Sequence, residues 1–182
     1  MGRKAGGDHR VVMAIIVIAI VSAGTMAGLV VDRGQVLKAQ AKERDKGPVA
    51  LAFHLVTVDG TRLNSTDLRG KPVLLDLMAT WCGVCREEMP MLNDTYSKDK
   101  DRIAFVSIDM DTYETDEQLR AFRDQYKAPW PFALDRTGSV FGAFYPDGYP
   151  TLVIIDSEGR VVLMHEGAIG QADLDSAIGL VL

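Results

Sequence analysis

The junction between an apolar run and a pair of cysteines constrains this chain most. Residues 73–79 form an apolar run broken by one acid, which is typical of a β-strand covered on both faces. Cys82 and Cys85, the only cysteines among 182 residues, follow at once, and a helical pattern continues beyond them. Unpaired N–H groups and the positive dipole end of a helix N-terminus favour a thiolate. The junction therefore predicts a redox-active dithiol whose sulfurs lie one helical turn apart.

Two other roles of a cysteine pair can be weighed against this one. A structural disulfide would suit an exported protein, but a bridge that closes so short a loop constrains the unfolded chain little. A zinc site needs further soft ligands, and the three histidines, His9, His54 and His165, are scattered along the chain. We therefore expect no metal and no separate cofactor, because the Cys82–Cys85 pair is itself the redox group.

An apolar segment near the N-terminus predicts a membrane anchor. Residues 11–31 carry no charge over 21 positions, and a hydrocarbon core needs about 20 residues. Three basic residues and one acidic residue precede the segment, so the positive-inside rule places residues 1–10 in the cytoplasm. A cleaved signal peptide is the alternative, since small-residue cleavage sites follow the hydrophobic core. In both cases we expect the remaining chain to be extracytoplasmic.

Charge separates the rest of the chain into a linker and an acidic domain. Residues 32–48 are rich in charged side chains and end in Gly47-Pro48, the composition of a solvated linker. From residue 49 to 182 the chain has 12 basic and 21 acidic residues, a net charge of −9, against +4 for residues 1–48. Nucleic-acid binding needs clustered Lys and Arg to neutralise phosphates, so we expect no nucleic-acid partner.

Residues 49–182 show alternating strand and helix patterns. Strands are predicted at 53–59, 62–64, 73–79, 103–108, 132–134, 151–155 and 160–165. Helices are predicted from 86 to about 97, from a capping box at Thr115 through 126, and over 171–182, whereas 141–145 is a glycine-punctuated segment without an assigned helix. This order indicates an α/β domain with a mixed central sheet and helices on both faces.

An ordered series of motifs carries a resemblance to a known family. The series is Asp59-Gly60, Leu68-Arg69-Gly70-Lys71-Pro72, Ala79-Thr80-Trp81-Cys82-Gly83-Val84-Cys85, Glu88 with Pro90, Gly148-Tyr149-Pro150-Thr151, and Ile155-Asp156 ahead of Gly159. From about residue 48 to 182 the chain resembles the thioredoxin fold, specifically the membrane-tethered thiol–disulfide oxidoreductases of the TlpA and ResA type. The resemblance implies a thioredoxin-like domain behind one transmembrane helix.

The resemblance also implies clients and a direction of electron flow. The clients would be cysteine-containing exported proteins, for instance apocytochrome c before haem attachment, and the electron donor would be a membrane thiol protein. Reduction of client disulfides is the leading expectation, and disulfide oxidation or isomerisation is the alternative. A thiol peroxidase fits less well, because Ala79 stands at its threonine position, and a copper carrier would have a wider spacing than Cys82/Cys85.

Four residues are expected to carry the chemistry. Cys82, nearer the helix end, is expected to attack a client sulfur, and Cys85 to resolve the mixed disulfide. Asp76 resembles the buried carboxylate of thioredoxin and is expected to take the Cys85 proton, with a solvated or purely structural acid as the alternative. The resemblance implies that Glu88 tunes Cys85 from one turn away or shapes client recognition, and an acid simply favoured near a helix N-terminus is the alternative.

A second set is expected to bind substrate. The resemblance places a cis Pro150 opposite the dithiol, with the backbone of Tyr149 presented to the client. Gly83 and Val84 lie between the cysteines, and Trp81 is expected to cap the dithiol with apolar surface, although an aromatic that merely packs is the alternative.

One further group of acids attracts no functional assignment. Asp109, Asp111 and Glu114 are close in sequence but lack the glycine and the closing acid of an EF-hand loop. They are interpreted as a solvated acidic loop.

Overall fold

The computed structural model describes residues 52–182, so the predicted anchor and linker, residues 11–31 and 32–48, lie outside the described residues. Within 52–182, no helix is both long and apolar enough to cross a membrane. The elements in chain order are β1 (His54–Val56), β2 (Arg62–Asn64), a 3-10 helix (Ser65–Leu68), β3 (Val73–Met78), α1 (Gly83–Asp99), β4 (Ala104–Asp109), α2 (Asp116–Tyr126), β5 (Phe132–Leu134), α3 (Ser139–Phe144), β6 (Thr151–Ile155), β7 (Val161–Glu166) and α4 (Gln171–Ile178).

The central sheet is mixed, as predicted, and β3 lies at its centre. Its five strands are ordered β5-β4-β3-β6-β7. Strand β3 pairs in parallel with β4 and antiparallel with β6, while β1 and β2 form a separate antiparallel hairpin. All six residues of β3 are buried. A central strand that is covered on both faces needs apolar side chains on both faces. This explains the nearly continuous apolar sequence of β3.

Side chains of β3 alternate between two apolar layers. Leu74 and Met78 belong to the layer that α1, α2 and α4 cover. Leu75 and Leu77 belong to the opposite layer, with α3 and the N-terminal hairpin. Asp76 shares the parity of Leu74 and Met78, so its carboxylate faces the helix that carries the cysteines. The prediction of helices on both faces is confirmed, and the one acid of the strand faces the dithiol helix.

Helix α3 forms where the sequence pattern assigned none. Its cap comes from outside the helix, because the buried carboxylate of Asp135 accepts the N–H groups of Val140 at 3.0 Å and Phe141 at 2.8 Å. A cap supplied by a residue four positions before the helix leaves no local sequence signal.

Near the C-terminus, α4 stops at Ile178 and does not continue to 182 as predicted. The capping box at Thr115 is present.

Candidate active site

Cys82 and Cys85 form a disulfide at the start of α1. Their Sγ atoms are 2.19 Å apart and their Cα atoms 5.3 Å apart. Cys82 is the N-cap of the helix, and its Sγ accepts the N–H of Cys85 at 3.1 Å. A sulfur that accepts a helix N-terminal amide is stabilised when it carries negative charge. Both cysteines are buried, Cys82 slightly less than Cys85, and the role of Cys82 as the attacking thiol stays a prediction.

The predicted substrate-binding residues gather around this disulfide. Trp81 is 58% exposed, and its indole meets the ring of Tyr149 edge to face, with ring centroids 6.2 Å apart. The Tyr149–Pro150 peptide bond is cis, as the resemblance implies. Gly83 and Val84 are exposed between the cysteines. Exposed apolar surface beside a disulfide provides a place for a polypeptide to dock.

Asp76 is buried behind the dithiol helix. Its Oδ2 accepts the hydroxyl of Ser107 at 2.7 Å, and that hydroxyl oxygen accepts the indole N–H of Trp130 at 2.9 Å. Burial raises the pKa of Asp76 to about 6, although the Ser107 hydrogen bond lowers it. The alternative of a solvated acid is therefore wrong, and the carboxyl group can exchange a proton near neutral pH.

Glu88 is buried one helical turn beyond Cys85. Burial in the first place and the Asp76 charge in the second raise the pKa of its carboxyl group to about 8. Neither carboxyl oxygen has a hydrogen-bond partner within bonding geometry among residues 52–182. An acid that only interacts favourably with the helix dipole can do so at the protein surface. The burial of Glu88 therefore does not fit that alternative. Because its pKa is about 8, the Glu88 carboxyl group is mostly protonated at neutral pH.

Asp109 shows that the interpretation of a solvated acidic loop is wrong for one of its members. Its side chain is 0% exposed at the end of β4, where it pairs in register with Met78 at the end of β3. Its two carboxylate oxygens accept the backbone N–H groups of Thr80 at 3.1 Å and Asp111 at 2.8 Å. Sequence reasoning missed both Asp109 and Thr80. The available signal was that Asp109 directly ends a buried apolar strand.

The loop that leads into Cys82 is held by several side chains. The Thr80 hydroxyl donates to the carboxylate of Glu114, and the Trp81 indole N–H donates to Asp111 Oδ2 at 2.7 Å. On the carbonyl side, Arg86 Nε donates to the backbone oxygen of Thr80 at 2.7 Å. The backbone immediately before the dithiol is therefore bonded at both its N–H and its C=O.

Comparison with known proteins identifies the family. The Redoxin family model matches residues 34–178. This chain belongs to the Redoxin family. The thioredoxin-like protein YneN of Bacillus subtilis is 32% identical over 136 residues, which are 74% of this chain and 79% of that protein. The thiol-disulfide oxidoreductase ResA of Bacillus thuringiensis is 30% identical over 155 residues, which are 85% of this chain and 86% of that protein.

Solved structures agree with these relatives. A protein from Chlorobium tepidum, described as a thiol:disulfide interchange protein DsbE, superimposes with a TM-score of 0.68 at 29% identity, covering 74% of this chain and 96% of that one. The resemblance to ResA-type oxidoreductases and the thioredoxin-like α/β fold are confirmed. With the disulfide at the helix N-terminus, the chain is a thiol–disulfide oxidoreductase.

Replacing Glu88 by methionine is expected to stabilise the oxidised protein at neutral pH. Unfolded Glu88 ionises near its ordinary pKa of 4.5, whereas the folded protein keeps the proton until about pH 8, so wild-type stability falls as the pH rises between these values. At about 1.4 kcal/mol per pKa unit, Glu88→Met gains on the order of 3 kcal/mol at pH 7 and under about 1 kcal/mol at pH 5.

Urea unfolding at the two pH values measures this difference. Glu87→Met is the matched control, because Glu87 is an exposed neighbour on the same helix, and its effect is expected to be the same at both pH values. A Glu88→Met gain that did not depend on pH would show that the ionisation of Glu88 carries no cost.

Proposed function

We propose that this chain is an extracytoplasmic protein-disulfide reductase attached to the membrane by residues 11–31. The direction of electron flow, from this dithiol to the client, is inferred from a pair of acids on the α1 side of the sheet. Asp76 faces the dithiol helix, and Glu88 is buried one turn after Cys85 and feels the Asp76 charge. Negative charge and burial both disfavour a thiolate at Cys85. Cys85 is therefore held as a thiol in the reduced protein, and a reduced pair without a stabilised thiolate at Cys85 gives up its electrons readily, which is the property of a reductant.

The reaction begins with the reduced pair and a client disulfide. The Cys82 thiolate attacks one client sulfur, the client S–S bond breaks, and the other client sulfur leaves as a thiolate that takes a proton. Cys85 then loses its proton to the carboxylate of Asp76, with Glu88 alongside as the protonated partner. The Cys85 thiolate attacks Cys82 Sγ, the bond between Cys82 and the client breaks, and the second client sulfur leaves as a thiolate that takes a proton. Two electrons have passed to the client, and the Cys82–Cys85 disulfide remains.

Docking of the client follows from the exposed surface around Cys82. Trp81 and Val84 offer apolar contact, and the ring of Tyr149, the residue before Pro150, meets the Trp81 ring edge to face. Exported proteins with paired cysteines are the client class that we propose. Apocytochrome c, which the resemblance implies, is the first client to test, because its Cys-x-x-Cys-His sites carry such a pair.

The location of the domain determines how the dithiol is reduced again after each turnover. Outside the cytoplasm disulfides form and persist, so an exported reductase is oxidised after each turnover. We propose that a membrane thiol protein returns the electrons. The support for the location is the 21-residue uncharged segment 11–31 with basic residues before it.

Capture of a client as a mixed disulfide tests the role of each cysteine. A Cys85→Ser chain retains the attacking thiol but cannot resolve, so it is expected to bind an oxidised Cys-x-x-Cys-His peptide covalently at close to one peptide per chain. Cys82→Ser is the matched control and is expected to capture less than about a tenth as much. Mass spectrometry of the non-reduced adduct measures both. Equal capture by the two variants would contradict the assignment of Cys82 as nucleophile.

The location is tested with the same two cysteines, because the chain contains no others. In intact cells treated with a reductant, a membrane-impermeant maleimide is expected to label the wild-type chain fully, and the Cys82→Ser/Cys85→Ser chain not at all. A cytoplasmic thiol protein serves as the control for intact membranes. Labelling that required permeabilised cells would contradict an extracytoplasmic domain. The mass of the chain isolated from cells distinguishes an uncleaved anchor from a removed signal peptide.

A further inference from the structure

Asp109 is a buried carboxylate that the exchange reaction described above does not use. It ends β4, beside the end of β3, on the edge of the sheet where the dithiol loop begins. One oxygen accepts the N–H of Thr80 and the other accepts the N–H of Asp111. A single buried side chain is therefore bonded to the backbones of two separate loops. The first loop leads into Cys82, and the second connects β4 with α2.

The two loops are joined again at their side chains. Thr80 donates its hydroxyl to Glu114, and Trp81 donates its indole N–H to Asp111, so two neighbouring residues of the first loop each have an acidic partner in the second. Asp109 differs from these partners in its position. It is completely buried, and it accepts one backbone amide from each of the two loops, so it links the paths of both chain segments.

The Thr80 backbone is fixed from both sides. Asp109 accepts its N–H, and Arg86, which lies in the first turn of α1, donates to its C=O. Cys82 follows two residues later and caps the same helix. A shift of the Thr80 peptide would therefore move both the Cys82 sulfur and the Trp81 ring that meets Tyr149.

We propose that Asp109 is a positioning residue for the dithiol, which holds the backbone entering Cys82 in place by accepting the amides of Thr80 and Asp111 with one carboxylate. Its importance for turnover rests on the proposed function, in which Cys82 attacks the client. The bonds themselves are present in the oxidised protein and are independent of that function.

The electrostatic surroundings make this contact sensitive to pH. Burial raises the pKa of Asp109 to about 7, the charges of Glu114 and Asp111 raise it, and the two backbone hydrogen bonds lower it. From the loop before β6, the phenol of Tyr149 faces the same acids, and burial, Asp109 and Asp111 raise its pKa. Because a neutral carboxyl accepts hydrogen bonds more weakly, the hold on Thr80 is strongest well above pH 7 and weakens as the pH falls through about 7.

Asp109→Asn tests the proposal in the full-length chain purified in detergent. Asparagine has the same shape but offers one acceptor and one NH₂ group, so one of the two backbone amides faces a donor. Glu114→Gln is the matched control, since it removes a charge from the same loop while one oxygen remains to accept the Thr80 hydroxyl. The readout is the rate at which the pre-reduced protein reduces a Cys-x-x-Cys-His disulfide peptide at pH 8.

We expect Asp109→Asn to slow this reduction at least tenfold and Glu114→Gln to stay within threefold of the wild type. Equal losses in the two variants would assign the effect to charge alone and overturn a positioning role. A wild-type rate in Asp109→Asn would overturn it as well. Failure of the wild-type chain to reduce the peptide would contradict the proposed function and leave the next measurement to decide the role of Asp109.

A second measurement uses the oxidised protein, in which neither cysteine titrates. The amide proton shifts of Thr80 and Asp111 in ¹⁵N-labelled wild-type chain are expected to share an inflection near pH 7, as Asp109 ionises. Glu114→Gln is expected to move the inflection to lower pH, because the Glu114 charge raises the Asp109 pKa. Two flat titration curves between pH 5.5 and 8.5 would overturn the proposal, even if Asp109→Asn did not fold.

Discussion

The hydrogen bond from the Cys85 amide to the Cys82 sulfur links the fold to its chemistry. A helix that starts at the end of a buried strand needs an acceptor for its first amides, and here a redox-active sulfur supplies it. The central strand β3 delivers the chain to this point, with both faces covered by apolar layers. The reactive sulfur is consequently part of the framework and lies at a reproducible position at the edge of the sheet.

Buried acids surround this junction on two sides. Asp76 and Glu88 lie behind the cysteines, and Asp109 lies under the loop that precedes them, each with a pKa raised mainly by burial. Keeping such groups buried costs folding free energy, since each would ionise more easily in the unfolded chain. Asp76 and Glu88 oppose thiolate formation at Cys85, which makes the thiol–disulfide equilibrium depend on where these protons reside.

Local patterns predicted the parts of this structure that depend on neighbouring residues. The apolar run of β3, the cysteine pair and the capping box at Thr115 each involve residues within a few positions of one another. The roles of Asp109 and Asp135 could not be predicted in this way. Asp109 bonds a backbone amide 29 residues away, and Asp135 caps a helix from outside it. The burial of Glu88 likewise depends on packing between distant segments.

The reduction potential of the Cys82–Cys85 couple tests the central claim most directly. Equilibration of the full-length chain with defined dithiothreitol ratios at pH 7, followed by alkylation and mass spectrometry, measures the oxidised fraction. Because buried acids oppose a thiolate at Cys85, the reduction potential of the couple is expected to lie near the thioredoxin value of about −270 mV. A potential near about −120 mV, as in strong disulfide oxidants, would contradict a reductase.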